Sequence, residues 1–137
     1  MLTKQDVRKV IAVYMKAWRT QDPDLIVTIF TPEATYHERV MEDITITGRD
    51  GIRAYWESKV VGAQANIICG MEHLYLDHDT GTAIAEWVAE FDDVAQGVRK
   101  RMREIAVLEF EDGLISSLRE YWASETVGEL SAAAADA

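Results

Sequence analysis

The sequence predicts an α+β domain in which a curved, mainly antiparallel sheet carries its helices at one end and leaves a deep cavity. Two amphipathic helices open the chain and feed directly into a short strand that ends on a carboxylate. A third helix opens at Thr47-Gly48-Arg49-Asp50-Gly51, and everything after about Ile67 alternates like sheet.

The first helix, Thr3 to Thr20, sets Val7, Val10, Ile11, Tyr14, Met15 and Trp18 on one face of a 3.6-residue period. Thr3 reads as its N-cap, with Asp6 three residues on as in a capping box. The second helix, Pro23 to Phe30, follows the cap Asp22 with proline at its first position and is stopped by Thr31-Pro32. A strand comes next, Ala34 to Glu38. The third helix, Asp50 to Val61, carries Ile52, Tyr55, Trp56 and Val60 on one side and ends at Gly62. Four strands follow: Asn66 to Asp77, Thr82 to Asp93, Val98 to Glu111 and Leu114 to Ala123. Tight turns at His78-Asp79-Thr80-Gly81, Ala95-Gln96-Gly97 and Glu111-Asp112-Gly113 make them antiparallel hairpins, which excludes a βαβ dinucleotide fold.

A chain of 137 residues is long enough for one core and too short for two. Residues 1–127 are expected to form that single domain and 128–137 a flexible tail, with a short helix over the alanines of Ser131 to Ala137 as the alternative. No apolar run approaches the roughly 18 residues of a membrane span, and Met1-Leu2-Thr3-Lys4 lacks a secretory core, so a cytoplasmic protein with no membrane partner is expected. The net charge of −10 repels phosphate backbones and argues against a nucleic-acid partner. The basic run Arg99-Lys100-Arg101-Met102-Arg103 lies in a strand and reads as cross-strand ion pairing. Cys69 has no partner for a disulfide or zinc motif and reads as a small core residue. His73 and His78 have no carboxylate at ligand spacing, so no metal or cofactor is expected.

Strand parity sorts the sheet into faces. Placing Arg99, Arg101 and Arg103 with Glu86 and Glu90 outside turns Trp87, Phe91, Met102, Glu104, Ala106, Leu108 and Phe110 inward. The last strand then turns Ser116, Leu118, Glu120 and Trp122 inward. Ala85, Ala89 and Ala106 between large aromatics leave volume that a solid core would fill, and they read as cavity lining. The outer face mixes Ile105, Val107 and Tyr121 with charges, a surface that suits a second copy, so a homodimer is expected.

Several segments, in order and at nearly constant spacing, resemble the nuclear transport factor 2-like superfamily and its SnoaL-like and ketosteroid isomerase branch. They are Tyr14 to Trp18 with Asp22, Ile29 to Glu38, Thr47 to Ile52 with Tyr55-Trp56, and Phe110 to Gly113 with Arg119 to Trp122. The resemblance covers most of Asp6 to Glu125. It implies a cone-shaped, cystatin-like α+β barrel, usually dimeric, whose bent sheet wraps the first helix around an apolar pocket. It does not imply one chemistry, because the scaffold carries isomerases, cyclases, dehydratases, hydrolases and proteins without a reaction.

On the isomerase pattern, a system known for a tyrosine and a protonated aspartic acid as oxyanion donors, Tyr14 falls at the oxyanion tyrosine and Glu38 at the base. The third position falls on Ala106, which has no hydrogen to donate, so that oxyanion hole is half built. His37 faces away from Glu38 by parity. Glu104 and Glu120 share the cavity face and would raise each other's pKa; with the parity shifted by one they become surface charges. Trp18, Trp56, Trp87, Phe91, Met102, Leu108, Leu118 and Trp122 complete the expected wall around an apolar or aromatic small molecule.

Two functions fit these residues. One is an isomerase or cyclase in which Glu38 removes a proton α to a carbonyl and Tyr14 steadies the enolate. The alternative is a non-catalytic binder of an apolar ligand, with Ala106 marking the lost donor. A limonene-type epoxide hydrolase fits less well, for its arginine between two aspartates has no counterpart at Met102 and Glu104. A protein-interaction role on the outer face ranks last, since the ion-paired strands offer no obvious apolar groove.

Overall fold

The computed structural model describes residues 1–130. Helix α1 (Lys4–Thr20) starts from a closed capping box: Thr3 Oγ1 accepts from Asp6 N at 3.1 Å, and the Asp6 carboxylate accepts from Thr3 N at 2.9 Å. It ends at Gln21, whose side-chain amide donates to the carbonyls of Val60 and Gln64 and so ties α1 to the start of the sheet.

The second helix is shorter than its sequence predicts. Helix α2 (Pro23–Ile26) makes one turn, Val27–Ile29 tighten into a 3₁₀ turn, and Phe30 already belongs to β1 (Phe30–His37). Pro32 does not block this strand, because the pairing of β1 with its neighbour is interrupted between Phe30 and Thr35, where its missing N–H breaks no ladder bond. A two-residue strand, β2 (Ile46–Thr47), escaped the sequence reading; it pairs with Thr35 and Tyr36 and leads into α3 (Gly48–Lys59), which starts two residues before the expected Asp50 and stops before Val61.

Strands β3 (Gln64–Asp77), β4 (Thr82–Asp93) and β5 (Val98–Glu111) match the alternating segments. Strand β6 (Leu114–Glu129) runs past the expected Ala123, because Ser124 to Glu129 continue pairing with Met102 to Val98 of β5. Gly128 and Glu129 are therefore sheet and not the start of a tail; the remainder expected over 131–137 lies outside the described residues.

The six strands lie in the order β2-β1-β6-β5-β4-β3, antiparallel except for the parallel pair β1 and β6. Among the described residues the curved sheet stays open, with β2 and β3 at its edges, so the barrel implied by the resemblance does not close. Bulges between Ala65 and Ile68 and between Met71 and His73 bend β3.

The inner face carries the core. Along β4, Ala83, Ala85, Trp87, Ala89 and Phe91 are buried in strict alternation and share one core with Val7, Ile11, Tyr14, Met15 and Trp18 of α1. Ala85 and Ala106, both fully buried, are neighbours across β4 and β5. Their small side chains make room for large rings, and Tyr14 packs on Trp87 with centroids 4.9 Å apart. The outer face is charged: Arg99 reaches Glu90 at 3.2 Å and Asp92 at 3.1 Å, Arg101 reaches Glu125 at 3.2 Å, and Arg103 reaches Glu72 at 2.7 Å and Glu86 at 3.4 Å. The basic run in β5 is thus consumed by ion pairs.

Candidate functional site

A cavity of about 430 Å³ opens between α1, α3 and the inner face of the sheet. Glu104 and Glu120 reach it through the parity of their own strands. Tyr36 lies near the end of β1 and Glu38 in the bend that directly follows it, while Met102 and Glu104 lie two apart on β5 and Glu120 and Trp122 two apart on β6, so each of these last two pairs shares one face. Tyr14 and Trp18 enter from α1, four residues apart on one helical face, and Tyr55 and Trp56 from α3.

The inner end is built around Glu120, only 7% exposed. Its Oε1 accepts from the Tyr36 hydroxyl at 2.6 Å and from the Tyr14 hydroxyl at 3.2 Å, and the two hydroxyls lie 3.0 Å apart. Burial pushes the Glu120 carboxyl up to about 7 and the nearby Glu38 charge adds to the shift, while the two tyrosine hydrogen bonds pull it back. Burial, followed by the charge of Glu120, holds both phenols well above their ordinary value, so they remain donors.

Glu104, 2% exposed, lies beside Glu120 in the same cavity, and among the described residues its Oε2 has no hydrogen-bond partner. Its carboxyl is raised well above the usual carboxylate range, first by burial and then by the charge of Glu120. The indole N–H of Trp87, its neighbour across β4 and β5, works against that rise. Glu38 stands nearer the mouth, a quarter exposed and ion-paired with Arg39 at 3.2 Å. Arg39 also lies over the Trp122 ring at 5.1 Å, and Trp122 Nε1 donates to the Glu38 carbonyl at 2.9 Å. These contacts fix the wall on which Glu38 sits.

Of the residues expected from sequence, Tyr14, Trp18, Glu38, Trp56, Phe91, Met102, Glu104, Glu120 and Trp122 line this cavity. Trp87, Ala106, Leu108 and Leu118 do not; they are buried below its floor. The register explains this. Glu104 faces Trp122, Ala106 faces Glu120 and Leu108 faces Leu118 across β5 and β6, so the open space ends at the level of Glu120 and the next pair packs solidly. The ring of Tyr14 covers Trp87.

Among the wall residues not singled out from sequence as part of the site are Tyr36, Tyr55 and Arg39. Parity offered a signal for Tyr36, two residues before Glu38. The histidines were read along the chain only. The bulge in β3 brings His73 and Glu72 together with Glu86 of β4, with ligand atoms within 4.8 Å, although Arg103 already neutralises both carboxylates there.

A bent, open sheet packed on three helices around an acid-lined cavity defines a cystatin-like α+β protein of the nuclear transport factor 2-like superfamily. The profile of the SnoaL-like domain matches residues 11–118, and the chain belongs to that family. No curated protein matches the sequence. Among solved structures, the chain is similar to the epoxide hydrolase/cyclase-like enzyme SalBIII of pyran ring formation in the polyether salinomycin. Identity is 25% and the TM-score 0.78, over 92% of this chain and 99% of that one. It is also similar to a protein of unknown function with a cystatin-like fold from Methylobium petroleophilum PM1, at 25% identity and a TM-score of 0.70, over 90% of this chain and 80% of that one. A protein with a ketosteroid isomerase-like fold from Catenulispora acidiphila, in complex with trimethylamine, shares 18% identity with a TM-score of 0.70, over 82% of this chain and 83% of that one. Among the described residues, no helix is long and apolar enough to cross a membrane.

Proposed function

We propose that the chain is an isomerase or cyclase that removes a proton next to a carbonyl group of a small, largely apolar molecule. Glu38 is the base and Tyr14 the donor to the developing enolate oxygen. The observation that carries this reading is the division of labour among carboxyl groups in one cavity. Glu38 is partly solvated and ion-paired, whereas Glu104 and Glu120 are buried where a charge is disfavoured. Carboxyl groups pushed apart in this way supply an acid and a base at one pH.

In the reaction the Glu38 carboxylate takes the proton from carbon, the C–H electron pair forms the enolate, and the negative charge gathers on oxygen. Tyr14 makes the longer of the two bonds to Glu120, so it exchanges that bond for one to the enolate while Tyr36 keeps Glu120 satisfied. The missing donor at Ala106 is supplied from the next strand, because Glu120 is the register partner of Ala106. Return of the proton to another carbon gives an isomerase; attack of the enolate carbon on a second carbonyl carbon, whose C=O π pair moves onto its oxygen and takes the proton back from Glu38, gives a cyclase. Likeness to the cyclase-like SalBIII supports the second outcome. None of these steps calls on a metal or nucleotide.

Glu38→Gln keeps the size and hydrogen bonding of the side chain but removes the base. Turnover of a substrate found by screening enolisable ketones is expected to fall by at least about a hundredfold, with thermal stability unchanged. Undiminished turnover in that variant would sink the mechanism. A cavity that binds but turns over none of the ketones supports the alternative of a non-catalytic binder. We further propose that the outer sheet face, where Ile84, Ile105 and Tyr121 stand exposed among the ion pairs, seats a second copy of the chain.

A further inference from the structure

Lys100 differs from the arginines on either side of it. Strand parity sends Arg99, Arg101 and Arg103 to the outer ion pairs and turns Lys100 inward with Met102 and Glu104, onto the cavity wall. Its side chain is 22% exposed and is paired at 3.4 Å with Asp93, which lies on the same wall. Among the described residues Asp93 is its one ion-pair partner. An ammonium group has three N–H donors, so this contact leaves others free for a ligand. The wall is also divided by charge. Glu104 and Glu120 are buried at the inner end, whereas the cations Arg39, Lys59 and Lys100 stand toward the opening, with exposed Ser58 and Gln96. In a chain of net charge −10, cations gathered on one part of a cavity wall set a local field against the average. Arg39 is engaged by Glu38 at 3.2 Å, while Lys59, at the end of α3, has no ion pair among the described residues.

We propose that the substrate is a carbonyl compound with a carboxylate at its far end, which Lys100 holds, aided by Lys59, while the carbonyl lies against Tyr14. The proposal names the substrate class of the reaction above and rests on that reading for which end of the molecule reacts. Lys100 lies four residues from Glu104 on β5, about 13 Å of strand, the span of a molecule about two rings long. Charge fixes the direction in which such a molecule enters. With its carboxylate inward it would meet Glu104 and Glu120 in a buried space, where an unpaired charge is costly. With its carboxylate outward it exchanges part of its water shell for a charge-assisted hydrogen bond to Lys100. Asp93 competes with the ligand for the same ammonium.

Three biphenyls of similar shape test this by calorimetry at neutral pH: 4′-acetylbiphenyl-4-carboxylate, its methyl ester, and the 4-aminomethyl analogue as its ammonium ion. The acid is expected to bind about tenfold more tightly than the ester, as one partly exposed charge-assisted hydrogen bond provides, and more tightly than the amine. Raising the salt concentration should narrow that gap in the unaltered protein. Lys100→Met keeps the apolar stem and should erase the preference for acid over ester, whereas Lys100→Arg should retain it. Asp93→Asn, which frees the ammonium, should enlarge the preference, a gain that a lysine merely propping the strand would not produce. The double variant Lys100→Met with Asp93→Asn leaves neither charge and should show no preference. If the methionine variants misfold, the salt dependence and Asp93→Asn still decide. Equal affinity for acid and ester, tightest binding of the amine, no binding of the acid, or a preference that survives in Lys100→Met and disappears in Arg39→Gln would each overturn the proposal. If the acid preference holds while no keto acid is turned over, the catalytic reading fails and the anion site stands.

Discussion

At the scale of single residues, Glu120 shows how burial reassigns a carboxyl group. Its folded pKa of about 7 lies above the ordinary value of 4.5, so the folded state holds a proton that the unfolded chain releases between those values. The associated stability is fully present below pH 4.5 and is lost as pH rises through about 7. The shift corresponds to on the order of 3 kcal/mol, and Glu104, raised in the same direction, adds to it. The melting temperature should therefore fall between pH 5 and pH 8, and Glu120→Gln should flatten that slope; a slope unchanged in the variant would remove Glu120 as its source. Tyr36→Phe deletes the shorter of the two bonds to Glu120. It is expected to cost about 1–3 kcal/mol in chemical denaturation and to drive the Glu120 titration higher still, since that bond holds it down. Parity in the sequence turned Glu104 and Glu120 inward, but it could not show that Tyr36 and Tyr14 meet on one oxygen, because those residues come from elements 84 and 106 positions away.

Elements were legible in proportion to how local their causes are. The capping box, the proline after Asp22 and the hairpin turns act over three or four residues, and α1, β3, β4 and β5 fall within two residues of their expected limits. Limits set by pairing were misplaced. β1 begins early and β6 ends late because each is extended by a neighbour far along the chain, and two-residue β2 exists only because β1 offers it an edge. The start of α3 depends on a backbone detail of the same kind: Gly48 has φ +76°, and a Cβ there would stand 3.4 Å from the Pro32 carbonyl oxygen. Gly48→Ala should therefore destabilise the protein by about 1–2 kcal/mol, measured by urea unfolding. A neutral result would show that α3 can start elsewhere without strain.

For the molecule as a whole, the open sheet leaves two surfaces with different tasks. The inner one is plugged at the level of Leu108 and Leu118 and hollow from Glu120 to the mouth. The outer one carries a lattice of ion pairs, each worth little on an exposed face, around exposed Ile84, Ile105 and Tyr121. If a second copy covers those side chains, Tyr121→Glu should convert a dimer to a monomer in analytical ultracentrifugation without changing the melting profile at low concentration. A monomeric unaltered protein would end that proposal.

The sequence by itself determined the order of helices and strands and the apolar face of α1 that carries Tyr14, because periodicity and turn chemistry are carried by neighbours along the chain, and it left the facing of Glu104 and Glu120 open to a shift of parity by one residue. Only the tertiary structure decided that the sheet stays open, that Glu120 lies opposite Ala106 and accepts the hydroxyls of Tyr36 and Tyr14, and that Glu104 is buried beside it. Those outcomes depend on strand register and on which side chains crowd one another across it, and distance in space, unlike parity, is not written in the spacing of residues.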